Sequence, residues 1–336
     1  MKRKVALVLC FFMAVCFAFA GGGKETSGGA ADVQYPRGDI SIIIPNSAGG
    51  GNDLTVRALI PALERALGVS VVPINQPAGK GGVAFSDVAN AKPDGSKLYF
   101  NSKTALLMKF NGIEEAKIEK LTPIAQVADD VAIFQVRSDS PWKTMNDVIN
   151  HLKTSKEKLK TGNTGLGGTW HLPQIKLNQA IGLDNMRYAS YPAGSPPLLT
   201  ALVAGEVDFI TCGPECKSFV DSGKVRPLCV VFPTRYPSFP DVPTLKEATG
   251  LDFDYPVWRG FFTTAGTDPK IVEILSQAIQ KAVQSEEFQK YAAVGMLASY
   301  KGTAEFSQIV SKEQKELEVL MPEVLAQIQA ENAGGK

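Results

Sequence analysis

Along most of this chain, short apolar runs bounded by turn residues alternate with longer stretches of helical periodicity. Residues 40–45 (ISIIIP) are a continuous, β-branched run and predict a buried strand. Asn52 and Asp53 then cap a stretch in which Val56, Leu59, Ile60, Leu63 and Leu67 recur at three- and four-residue intervals. That spacing predicts a helix closed by Gly68 and kinked at Pro61. Residues 70–74 and 97–101 read as strands, and 124–136 as one long extended run. Thr144 with Asp147 three positions on predicts a capping box opening a helix to about Leu152. Helices follow over 170–181, with Pro173 in the first turn, and over 196–204, ended by Gly205. Residues 207–211 and 226–232 are strands. Asp268-Pro269 starts a helix with the apolar face Val272, Leu275, Ile279 and Val283, and a last helix starts near Thr303. This alternation predicts α/β architecture with parallel sheets.

The amino end has a different pattern. Lys2, Arg3 and Lys4 precede sixteen uncharged, mostly apolar residues that end in Ala18-Phe19-Ala20. This predicts a secretory signal peptide over 1–20 and a periplasmic or otherwise extracytoplasmic protein. The apolar run falls short of the ~20 residues of a membrane span. Lipidation at Cys16 is the rival, weakened by Val15 just before it. Residues 21–34 are glycine-rich and polar and read as a flexible leader.

Composition narrows the function. Lys plus Arg is 35 and Asp plus Glu is 34, a net charge of +1 that becomes −2 without residues 1–20, which excludes a bulk electrostatic case for nucleic acid. His151 and His171 are the only histidines, so a multi-histidine metal site is excluded, and no cofactor is expected. Past residue 20 the cysteines are Cys212, Cys216 and Cys229, an odd number that does not make a disulfide scaffold. Cys212 and Cys216 either pair or stand as two buried thiols, and the second is the simpler reading.

Three loops are placed for chemistry. Residues 45–53 (PNSAGGGND) join a strand to a helix start, the position where open α/β sheets bind ligands. Their glycines allow close backbone approach, and helix-head amides favour an anion. The spacing fits neither a dinucleotide fingerprint, since Leu54 stands at the third glycine position, nor a phosphate loop. Residues 162–171 (GNTGLGGTWH) form a second such turn, ending in His171. Neither turn holds Lys or Arg, so a carboxylate gripped between them would meet backbone amides, hydroxyls and water. Residues 191–196 (YPAGSP) are a third turn, and Ser195 lacks the glycine flanks of a nucleophile elbow.

Residues 45–53 resemble the P-x-x-A-G-G-G-x-D turn of the solute-binding proteins of tripartite tricarboxylate transporters, the Bug/TctC family. The likeness continues in order through Asn75-Gln76-Pro77-Ala78-Gly79, Lys92-Pro93-Asp94-Gly95 and the turn ending His171-Leu172. It runs on through Tyr191 with Gly194, Gly205-Glu206-Val207-Asp208 and Asp241-Val242-Pro243-Thr244, covering about residues 35–310. The resemblance implies a type II periplasmic binding protein-like fold: two α/β lobes with mainly parallel sheets and a hinge. Lobe I would be 35–134, lobe II 135–256, and 257–336 a return to lobe I with C-terminal helices; residues 133–137 and 258–263 would be the hinge strands.

It also implies a monomer, not an enzyme, that closes on a small carboxylate of tricarboxylate, dicarboxylate or acidic amino acid type and delivers it to the membrane subunits of the transporter. By resemblance, Ser47, Ala48, Gly49 and Gly50 form one arm on the ligand, and Gly165, Gly167, Gly168 and Thr169 the other. Asn46, Asp53, Ser102, Thr104, His171, Tyr191, Cys212 and Gly213 complete the expected ligand set. Asn46 and Ser47 replace the family's usual Phe-Pro, and Cys212-Gly213 replace a common acidic or amide residue, so the ligand's distal part is where this chain departs. Two rivals stand beside this reading: a ligand-sensing partner of a sensor kinase, and a secreted hydrolase using His171 with Ser47, Ser102 or Ser195.

Overall fold

The computed structural model describes residues 34–192 and 194–334; the signal peptide, Cys16 and residues 21–33 of the leader lie outside them. Among the described residues, eleven strands follow in chain order: β1 (Ile40–Ile44), β2 (Val71–Asn75), β3 (Lys97–Ser102), β4 (Leu121–Val131), β5 (Ile133–Arg137), β6 (Leu159–Asn163), β7 (Met186–Ser190), β8 (Phe209–Cys212), β9 (Val225–Val230), β10 (Pro256–Thr264) and β11 (Leu297–Lys301). They form two sheets, ordered β11-β4-β10-β3-β1-β2 and β7-β6-β8-β5-β9, each carrying helices, so the fold is α/β with two lobes.

The sheets are mixed rather than mainly parallel. β1 is parallel to β2 and β3, and β6 is parallel to β7 and β8. β10 is antiparallel to both β3 and β4, β11 to β4, and β5 to both β8 and β9. Parallel neighbours need a crossover connection, which the chain makes inside each lobe. The strands by which it enters a sheet from the other one, β5 and β10, run against both their neighbours. The predicted single run over 124–136 is therefore two strands of different sheets, β4 and β5, broken at Ala132. The passages between lobes lie side by side: the Val231 amide donates to Ala132 O at 2.8 Å, and the Tyr255 amide donates to Val231 O at 2.9 Å.

The helix Gly51–Leu67 buries Val56, Leu59 and Leu63 and ends where Gly68 adopts a left-handed φ of 72°. It continues through Pro61. Pro61 and Arg57 are on the exposed side, so the carbonyl that loses its partner faces water. The predicted capping box of Thr144 and Asp147 is present, and Asp268 caps the helix Pro269–Val283 through the Lys270 amide.

The C-terminal helix Thr303–Gly334 begins against β4, where Thr303 Oγ1 donates to Ile124 O at 2.7 Å. Phe306 packs on Trp258 and Phe262 with ring centroids 5.1 and 5.3 Å apart. Further along, Met321 reaches the turn that follows β6.

Candidate functional site

A cavity of about 420 Å³ opens where strand ends of the two sheets face each other. From the first lobe it is lined by Asn46, Gly50, Gly51 and Asn52 after β1, by Ser102 and Thr104 at the end of β3, and by Asp130, Val257 and Arg259. Thr169 and Trp170, after β6, and Glu215, after β8, come from the second lobe. Thr104 Oγ1, after β3, and Thr169 Oγ1 meet across the opening at 3.1 Å, and residues of both glycine-rich turns line it. A larger hollow of about 970 Å³ lies outside Thr122, Val272 and Tyr300 and is lined by the first lobe alone, away from that convergence.

The first turn is held by side chains that themselves face the cavity. Asn52 Nδ2 donates to Asn46 Oδ1 at 2.7 Å and to Asn101 Oδ1 at 3.0 Å, and Asn75 Nδ2 donates to Asn46 O. Gly49, at a φ of 80°, donates its amide to Asp53 Oδ2 at 2.8 Å, and the Gly50 amide donates to Ser47 O. The helix cap is Gly50, not Asn52 or Asp53. Asp53 is buried and turns back to Gly49 and Arg57 instead of reaching forward. Burial opposes its charge, but hydrogen bonds from Arg57, Gly49 and Asn75 hold its carboxyl below the usual carboxylate range. The amides that head the helix, Gly51 and Asn52, have no intrahelical partner and border the cavity.

The second turn is held from behind. The Gly165 amide donates to Asn163 Oδ1, the Gly168 amide to Gly165 O, and the Gly167 amide to His171 Nδ1 at 3.0 Å. His171 is 1% exposed, packs edge-on to Tyr188 at 4.4 Å, and its Nε2 has no hydrogen-bond partner among the described residues. Burial pushes its pKa down to about 4, so the imidazole is neutral at physiological pH. Met321 of the C-terminal helix sits 3.5 Å from where a Cβ on Gly167 would stand.

Several expected ligand residues therefore do other work. Ser47, Ala48 and Gly49 are absent from the cavity wall. The amides of Gly49, Gly50, Gly165, Gly167 and Gly168 are bonded within their own turns, because a tight turn satisfies its buried amides internally. Tyr191 bonds Glu206 away from the opening. Cys212 is fully buried and accepts from Gln135, and burial raises its pKa. Cys212, Cys216 and Cys229 are all buried free thiols. Gly213 lies behind Trp170 and Glu215: a Cβ there would be 3.3 Å from Trp170 Cζ2 and inside the space of the Glu215 carboxylate. Ser102 Oγ donates to Thr104 Oγ1, and Ser195 Oγ hydrogen-bonds Glu215, so neither serine is paired with His171.

The charged groups of the cavity come from outside the glycine turns. Arg259 Nη2 donates to Asp130 Oδ2 at 2.7 Å, its Nε reaches the same carboxylate at 3.1 Å, and Nη1 donates to Asn52 Oδ1 at 2.9 Å. Burial opposes the guanidinium charge, but Asp130 more than compensates and holds its pKa above the ordinary value. The expectation of a grip free of Lys and Arg thus gives way to a cleft with one arginine. Gly51 makes room for it: a Cβ at that position would stand 2.9 Å from Nη1 and Nη2. Arg259 and Asp130 lie inside strands and Glu215 in a short turn, with no motif around them to signal a site.

Comparison with known proteins places this geometry in a family. A family model described as "Tripartite tricarboxylate transporter family receptor" matches residues 55–324. The chain is 29% identical over 261 residues to a UPF0065 protein of Bordetella pertussis, covering 76% of this chain and 80% of that one. It is 28% identical over 281 residues to protein BugT of the same organism, covering 80% and 85%. Among solved structures it is similar to a TctC solute-binding protein from Polaromonas, with a TM-score of 0.77 and 28% identity over 87% of this chain and 99% of that one. It shares its fold with MatC of Rhodopseudomonas palustris with bound malate, at a TM-score of 0.69 and 23% identity over 85% and 100%.

Proposed function

This chain belongs to the tripartite tricarboxylate transporter receptor family, and we propose that it captures a small carboxylate outside the cytoplasm by closing its two lobes and hands it to the membrane subunits of such a transporter. The observation that carries this reading is the cavity between strand ends of both sheets, bordered by helix-head amides at Gly51 and Asn52 and by the hydroxyls of Ser102, Thr104 and Thr169. Helix-head amides attract a carboxylate, and charge-assisted hydrogen bonds are worth about 1.5–3 kcal/mol each. The paired backbone passages at Ala132, Val231 and Tyr255 suit a hinge, because rotation there leaves the hydrogen bonds of both sheets in place. MatC, which shares this fold, is described with bound malate, itself a small carboxylate. No helix among the described residues is long and apolar enough to cross a membrane.

A thermal-shift panel of C4–C6 dicarboxylates, amino acids and aromatic acids tests this. A ligand at a hundredfold its Kd adds about 2.7 kcal/mol of stability and raises the melting temperature by several degrees. No response from any acid overturns the proposal.

A further inference from the structure

We propose that Met321 is a positioning residue for ligand capture: from a helix anchored on the first lobe it docks the second lobe's glycine-rich turn at Gly167, and so sets how firmly the two lobes stay together. The inference rests on the reading of this chain as a receptor whose lobes close on a ligand, and adds the part that holds them closed. The C-terminal helix is tied to the first lobe along its first half. Thr303 bonds β4, and Phe306 packs on two rings of β10. Glu313 accepts from Lys103 Nζ at 2.9 Å and from Trp258 Nε1 at 2.7 Å. Lys103 is 5% exposed, so losing this pair would strand a buried charge. Glu318 adds a second pair with Lys109 at 2.8 Å.

Toward the second lobe the attachment is lighter. Lys176 interacts with Glu313 and Glu316 through space, and a hollow of about 550 Å³ opens between Val324 and the end of the helix Leu172–Ile181. Close contact is made at Gly167, which is buried at a φ of 70°. Met321 Cε lies 3.5 Å, Asn111 Oδ1 3.3 Å and Ile328 Cδ1 3.8 Å from the point a Cβ there would take. Bare backbone of the second lobe thus sits in a socket built by the first lobe and its helix. Gly167 and Thr169 belong to one turn, stiffened by the bonds of Gly168 to Gly165 and of Gly167 to His171. Thr169 meets Thr104 across the opening, so a rotation that parts the threonines also draws Gly167 away from Met321. Opening then returns apolar surface of Met321 and Ile328 to water, which opposes it. A thioether side chain suits a contact that is made and broken. Met321 does not line the cavity, so it acts on the closed arrangement first and on binding through it.

Spin labels on Ala78→Cys and Ser190→Cys give the test. Both positions are exposed and lie at or just past the ends of the outer strands β2 and β7, and the native thiols are buried. In the full chain without ligand, Met321→Ala shifts the ratio of long to short label distances about tenfold toward long. Met321→Leu, which refills the volume, restores the wild-type distribution, and Val319→Ser, at an 82% exposed site on the same helix, leaves it unchanged. Ile328→Ser, at the half-buried outer end of the contact, shifts it in the same direction by about threefold and serves if Met321→Ala does not fold. Malate, succinate and adipate are then titrated calorimetrically, and whichever binds the wild type binds Met321→Ala up to tenfold more weakly. Distances unchanged in both Met321→Ala and Ile328→Ser, or a shift that Met321→Leu fails to reverse, overturn the inference while carboxylate capture stands. Binding of no acid by the wild type counts against carboxylate capture, and the ligand-free distances still decide the role of Met321.

Discussion

The two glycine-rich turns look alike in sequence and are built in opposite ways. The turn after β1 is fixed by Asn46, Asn52 and Asn101, and the first two of these also line the cavity. The turn after β6 is fixed by Asn163 and His171, buried on its far side, with Met321 behind it, and presents only Thr169 and Trp170 forward. In the first, the groups that hold the backbone and the groups that meet a ligand overlap; in the second they are separate. Changes at the first turn should therefore alter stability and binding together, whereas changes behind the second should act on stability first.

The largest expected effect is on the support of the first turn. Arg259→Leu removes the partner of Asp130, whose side chain is 10% exposed, and the donor to Asn52 Oδ1. Leaving a buried carboxylate unpaired costs about 3 kcal/mol or more, read as a lower urea midpoint at unchanged slope. A loss under about 1 kcal/mol would show that water replaces the guanidinium and that the first turn does not lean on it.

The next concerns the second turn and pH. The folded pKa of His171, about 4, lies below the ordinary value near 6.5, so the unfolded chain takes up the proton first. Stability is then complete above pH ~6.5 and is lost as pH falls toward ~4. Between pH 7.5 and 5 the wild type should lose about 2 kcal/mol more than His171→Gln. Asp129, pushed up to about 6 by burial, works in the opposite direction, but it is common to both proteins and drops out of the difference. Equal pH slopes would mean that His171 is not held neutral inside the turn.

The smallest change in stability tells most about the comparison. Asn46 is exposed, and Asn46→Ala forfeits one hydrogen bond from Asn52, worth about 1 kcal/mol or less. Calorimetry on any acid found to bind should nevertheless show a loss of affinity of about tenfold. A variant that is destabilised but binds normally would reverse the contrast between the turns.

Much of the fold was legible because local rules and tertiary structure agree. The run ISIIIP, the capping box at Thr144 and the Asp268-Pro269 start each carry their signal within a few residues. Thr244 and Glu247 form a second capping box that carries the same signal. The edge strands β7 and β11 are not legible in the sequence because their half-exposed residues show no clean alternation. Convergence of the two turns was legible from their place after strands, but the occupation of their amides was not. Whether a glycine N–H is available depends on what packs behind it: His171 in one turn, Asp53 in the other. Arg259 and Glu215 enter the cleft only because the chain returns through β10 and turns after β8, and no local pattern records either event.

The contact of Gly51 with Arg259 joins two positions that are remote along the chain. Any methyl group at 51 competes for the volume of the guanidinium, and yielding that volume would forfeit the bonds to Asp130 and Asn52. In descendants of this sequence, a larger residue should become acceptable at 51 only after the arginine has shortened. The two sites should then vary jointly, with the glycine the later of the pair to change.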